Sequence, residues 1–92
     1  MKIWKYQLEK ARTQLVRMPS KSEIMDIQMQ NGELTLWVMA DPETETIEVR
    51  INTYGTGYET NEKAFKDVYL ATVQNGEYVW HFFMNYETMT KP

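Results

Sequence analysis

The chain has 92 residues, no cysteine and a formal net charge of −3. That length fits one domain over residues 1–92, and the missing cysteine excludes disulfides, thiolate metal sites and cysteine nucleophiles. The acidic balance argues against general nucleic-acid binding through a basic face.

Residues 1–8 alternate as a first strand, with Ile3 on one face and Trp4, Tyr6 and Leu8 on the other. The stretch from Glu9 to Arg17 fits either a short helix or a short strand. Its brevity and the nearby Pro19 favour a strand at Thr13 to Arg17, ended by Met18-Pro19-Ser20.

The tetrapeptide Gln-Asn-Gly-Glu then occurs for the first time, at residues 30–33, and it recurs at residues 74–77. Asn-Gly between alternating apolar runs is a strong hairpin signal, because a type I′ turn needs φ > 0 at both central residues. With Asn31-Gly32 as the loop, Met29 pairs with Leu34, Ile27 with Leu36 and Met25 with Val38, which puts six apolar side chains on one face. The other face pairs Gln28 with Thr35, Asp26 with Trp37 and Ile24 with Met39.

Residues 40–45 read as a loop with a turn at Asp41-Pro42. Asp41, Glu43 and Glu45 alternate, but without a fixed glycine and a following ligand they are a solvated loop rather than a calcium site. Thr46 to Asn52 alternates cleanly, with Ile47, Val49 and Ile51 inward and Glu48, Arg50 and Asn52 outward. Tyr54-Gly55-Thr56-Gly57-Tyr58 breaks that strand, and the polar stretch after it holds at most a helical turn around Ala64 and Phe65.

Applied to the second copy, an Asn75-Gly76 loop pairs Val73 with Tyr78, Ala71 with Trp80 and Tyr69 with Phe82. The other face pairs Thr72 with Val79, Leu70 with His81 and Val68 with Phe83. Both faces are largely apolar, the mark of a central or doubly covered strand pair. Residues 85–92 are polar and read as a frayed tail. The sum is an all-β fold, a small antiparallel β-sandwich or partly open β-barrel of six to seven strands with two Asn-Gly hairpins. A domain this small has little margin of stability, so a homo-oligomer is expected. No segment has the length and apolarity of a membrane span, and no basic-then-apolar leader opens the chain, so a cytoplasmic protein without a membrane partner is expected.

Candidate chemistry is sparse. His81 is the single histidine; it has no evident Ser or Cys partner, and its apolar neighbours make it first a core residue bonded to backbone. The Gly-Thr-Gly loop lacks the Gly-Lys-Ser/Thr of a P-loop and any strong following helix. Glycine at a strand end is in the first instance a bend. Two flanking tyrosines and Arg50 would nonetheless suit a nucleotide, rings for its base and a guanidinium for phosphate. Trp37, opposite Asp26, is the tryptophan placed for contact rather than core. The candidate ligand-binding set is therefore Arg50, Tyr54, Gly55, Thr56, Gly57, Tyr58, Trp37 and His81. No catalytic motif is visible and no cofactor or metal is expected, so a non-enzymatic protein is the reading.

Across nearly its whole length the chain resembles a family of small proteins of unknown function encoded by tailed bacteriophages and prophages. The resemblance lies in the opening Met-Lys-Ile-Trp-Lys-Tyr and in Ile27 to Gly32. It continues in Leu36-Trp37-Val38-Met39-Ala40-Asp41-Pro42, in Tyr54-Gly55-Thr56-Gly57, in Thr72-Val73-Gln74 and in Val79-Trp80-His81-Phe82-Phe83. Members often carry a histidine after Gly-Thr-Gly. This chain has Tyr58, which removes imidazole chemistry from that loop. The resemblance implies a phage product acting in the cytoplasm of the bacterial host and transfers no activity. A counter-defence protein that sequesters a nucleotide immune signal is then the first functional expectation. An inhibitor docking on a host defence protein is the second, and a minor virion or assembly protein the third.

Overall fold

The structure, a computed structural model, describes residues 1–60 and 66–90, with side chains described through residue 85. The helical turn expected around Ala64 and Phe65 lies outside the described residues. Seven strands follow in chain order: β1 (Lys2–Gln7), β2 (Thr13–Pro19), β3 (Ser22–Gln30), β4 (Glu33–Ala40), β5 (Thr46–Gly55), β6 (Val68–Asn75) and β7 (Tyr78–Thr90). They form two antiparallel sheets, a three-stranded one in the order β1-β4-β3 and a four-stranded one in the order β2-β5-β7-β6. The all-β expectation holds: the two sheets make a sandwich-like fold that does not close into a barrel. β3 lies alongside β6 and seals one flank. On the other flank a cleft runs between β1 and β2, lined by Tyr6, Gln7 and Leu15 among others. Strand β7 runs on into the polar tail as far as Thr90.

The core is what alternation places inward. Ile27, Leu36 and Val38 from the three-stranded sheet meet Val49, Ile51 and Phe82 from the four-stranded one, all essentially without solvent contact. Each side chain of that size contributes roughly 1.5–3 kcal/mol when fully buried.

The first hairpin has the expected loop. Asn31 has φ 50° and Gly32 φ 79°, the pattern of a type I′ turn. The expected register holds from Gln30↔Glu33 to Asp26↔Trp37 and then shifts. Met25 is bulged out, so Ile24 rather than Met25 faces Val38, and Glu23 rather than Ile24 faces Met39. The bulge puts half-buried Ile24 against the core and leaves Met25 exposed, and it supplies the extra local twist that bulges bring.

The second hairpin corrects the expected register. Its loop is Gly76-Glu77, not Asn75-Gly76: Asn75 pairs with Tyr78, Val73 with Trp80 and Thr72 with His81. Gly76 has φ 62°, and Glu77 has no positive φ. This is the φ pattern of a type II′ turn, which wants glycine at the first central position. The same four residues thus make two different turns. A second bulge, at Leu70, then changes the faces: Ala71 pairs with Phe82 inward, while Tyr69 pairs with Phe83 outward. β5 also continues to Gly55, past the break expected at Thr53.

Candidate functional site

Gly55 to Tyr58 form a tight turn where β5 ends. The Tyr58 amide donates to the Gly55 carbonyl at 3.1 Å, and Gly57, with φ 86°, supplies the positive φ that the third position of a type II turn demands. The Thr56 amide donates to the Val79 carbonyl at 3.2 Å. Two of the loop amides are therefore committed to backbone carbonyls, and the loop is the strand-end bend rather than an anion nest.

The side chains of this segment point to two places. On the inner side, β5 pairs Thr53 with Phe82 and Gly55 with Trp80. Partners across a ladder share a face, so Thr53 and Gly55 open between the sheets. A Cβ at Gly55 would sit 3.3 Å from both the Trp80 and the Tyr58 rings, so the two rings close over backbone that has no side chain. They line a slot of about 160 Å³ together with Glu9, Lys10, Ala11, Arg12, Leu34, Thr53 and Gly55. Behind it, Tyr78 stacks on Trp80 with centroids 5.8 Å apart and planes at 15°. The Thr53 hydroxyl is buried and has no hydrogen-bond partner. Lys10 and Arg12 are exposed at the rim, and Glu9 adds one opposing charge. Glu9 and Gln14 exchange hydrogen bonds of 3.0 and 2.9 Å, which anchors the β1–β2 loop that carries these charges.

On the outer side of the four-stranded sheet lies a separate network. The Thr56 hydroxyl is 2.7 Å from His81 Nε2, and Thr72 Oγ1 is 3.0 Å from His81 Nδ1. Thr72 Oγ1 is also 2.7 Å from the Tyr69 hydroxyl. Phe83 sits beside this chain, with Tyr54 and Tyr69 meeting it edge-on at 5.8 and 5.7 Å. His81 is therefore not a core residue bonded to backbone. It is half-buried on an outer face and held by two hydroxyls, each of which can donate or accept and so satisfies either neutral tautomer.

The expected site residues thus separate. Gly55 and Tyr58 line the slot; Tyr54, Thr56 and His81 belong to the outer network, and Gly57 shapes the turn between them. Arg50 is four residues along β5 from Tyr54, about 13 Å at the usual strand rise, where its guanidinium donates to Thr13 Oγ1 at 3.3 Å. Trp37 is on the outer face of the other sheet, between Lys5 and Asp26. The slot's Trp80, Thr53, Lys10 and Arg12 are not legible in the sequence, since the Gly55↔Trp80 register and the pairing of β2 with β5 bring them together. Among the described residues no cluster of His, Asp and Glu could hold a metal ion. Asp41 accepts from the Glu43 amide at 3.1 Å and shapes its own turn.

Fold and slot define a small two-sheet β-sandwich with an aromatic cleft between the sheets at one end. The chain belongs to a family known as a domain of unknown function, DUF7352, whose model matches residues 1–91. No curated protein and no solved structure matches it. Among the described residues no helix is long and apolar enough to cross a membrane.

Proposed function

We propose that this protein is a non-enzymatic binding module that captures a small nucleotide signal and withholds it from its receptor, as a phage counter-defence protein acting in a bacterial cytoplasm. The observation that carries the reading is the slot: two rings over a glycine, a buried hydroxyl without a partner, and two cations at the rim. Apolar clefts with a few convergent polar groups are the usual form of a small-molecule site. The phage setting rests on the resemblance set out above. Capture needs only affinity and abundance, so no reacting group is required of the site.

Native mass spectrometry of the purified protein with a panel of cyclic nucleotides and ADP-ribose derivatives tests the reading. A stoichiometric ligand mass on a defined species is expected. Indifference to the whole panel would overturn it.

A second reading, an inhibitor docking on a host defence protein, draws on the outer face of the three-stranded sheet. There Ile3, Met25 and Met39 are exposed around Trp37, and methionine suits adaptable contacts. A stable complex isolated from host lysate and lost in Trp37→Ala would favour it.

A further inference from the structure

We infer that the slot takes a nucleotide carrying a single base, with the base stacked on Trp80 beside Tyr58, its polar edge turned to the Thr53 hydroxyl and its phosphate outward at Lys10 and Arg12. This rests on the proposed reading of the slot as the ligand site and narrows the ligand class.

Size is the first argument. A dry cavity of about 150 Å³ accepts one benzene-sized ring, and the slot, at about 160 Å³, has room for one base and not for two. Typical drug-sized pockets begin at about 300 Å³. Anything larger than a ring must therefore lie outside, along the loop between β1 and β2.

The lining decides what kind of ring. Trp80 is already stacked on Tyr78, so its indole is held in a fixed plane before any ligand arrives, and base–aromatic stacking favours such a platform. A purely apolar ring would leave the Thr53 hydroxyl without a partner. A buried polar group in that state is destabilising, and a heteroaromatic edge, which donates and accepts, satisfies it. That hydroxyl has no exposed surface in the free protein, so half-buried Thr53 presents it to the base by a change of χ1 rotamer, while its amide keeps donating to the Arg12 carbonyl at 2.8 Å. That bond also ties the rim to the floor, so Arg12 is placed by the same residue that meets the base.

Charge sets the outer part. Lys10 and Arg12 exceed Glu9 by one positive charge at the mouth, and among the described residues no carboxylate is paired with either cation. A mono- or dianionic phosphate fits that balance, and an uncharged nucleoside forgoes it.

The test is titration by calorimetry and by tryptophan fluorescence, with Trp4 and Trp37 replaced by Phe for the optical readout, using adenosine, guanosine and uridine monophosphates, the matching nucleosides and a cyclic dinucleotide. At least one monophosphate is expected to bind at one per chain, and its nucleoside about tenfold more weakly. Thr53→Val keeps the shape and removes the hydroxyl. It is expected to weaken binding several-fold while the melting temperature holds or rises, a combination that a merely structural role would not produce. The paired change Lys10→Ala with Arg12→Ala is expected to erase the preference for the monophosphate over the nucleoside. If the cyclic dinucleotide binds and no monophosphate does, the single-base inference is overturned while sequestration stands. If a monophosphate binds but all three substitutions leave its affinity unchanged, the slot is not its site and the inference fails. If nothing in this set or in the wider panel binds, both readings fall.

Discussion

Asn31 and Asn75 hold the same place in the same tetrapeptide, yet only Asn31 lies at positive φ. A β-branched residue resists that region by about 1–2 kcal/mol. Asn31→Thr should therefore lower stability by roughly that amount, and Asn75→Thr should be nearly silent; chemical denaturation of the two variants measures the difference. Replacing Asn31-Gly32 by Val-Val should be the more damaging change, since both turn positions need φ > 0. In the turn that ends β5, Gly55 and Gly57 are both glycine for different reasons. Gly57 needs its φ and has open space around it, whereas Gly55 needs its missing Cβ. Gly57→Ala should cost about 1 kcal/mol, the penalty for leaving the left-handed region to a residue with a Cβ. Gly55→Ala should disturb the two rings of the slot, read as a shift in tryptophan emission that is absent in Trp80→Phe. Tyr6 gives a pH signature. Burial pushes its hydroxyl above the ordinary tyrosine value of 10.0, so the folded state favours the neutral form. That contribution is complete below pH 10 and is lost as pH rises through the folded value. The melting temperature of the native protein should fall more steeply above pH 10 than that of Tyr6→Phe.

At the scale of the strand pair, register is decided by which side chains meet. In the second hairpin, small Ala71 faces Phe82 and Val73 faces Trp80, so volume is shared across the ladder, while Thr72 gains His81 as a hydrogen-bond partner. The register expected from an Asn75-Gly76 loop would instead set Ala71 against Trp80 and Thr72 against Val79. It keeps the same faces but loses that hydrogen bond. Period-two alternation is therefore blind to the choice, and the type II′ turn accommodates the winner because Gly76 supplies the positive φ that its first central position needs. Ala71→Leu should overpack against Phe82 and cost about 1–3 kcal/mol; Phe82→Ala should cost about 3–5 kcal/mol. Equilibrium unfolding of both variants checks the pairing. The two bulges were equally hidden. Nothing in Ile24-Met25-Asp26 or in Tyr69-Leu70-Ala71 marks an extra residue, because a bulge answers to the curvature of the whole sheet.

For the whole molecule, the sheet orders predict where stability is concentrated. β4 is the centre of one sheet, and β5 and β7 are the inner strands of the other. Hydrogen exchange should be slowest in Leu34 to Val38, Val49 to Thr53 and Trp80 to Met84. It should be fastest along the free edges of β1 and β2, where the flank is open. Alternation and turn chemistry were enough to determine an antiparallel all-β chain, most of the strand positions, the first hairpin from its turn to Asp26↔Trp37, and the inward rows Ile47-Val49-Ile51 and Leu34-Leu36-Val38. These are local properties, carried by a period of two and by the φ that a turn demands. Tertiary structure alone decided how the strands divide into sheets, which Gln-Asn-Gly-Glu makes which turn, and the fate of the candidate residues. Trp80 and Gly55 are 25 positions apart, and Lys10 and Thr53 further still. Their convergence on one slot follows from the β5–β7 ladder for Trp80 and from the β2–β5 edge, where the Thr53 amide meets the Arg12 carbonyl, for the rim; both are long-range pairings rather than any run of neighbouring residues.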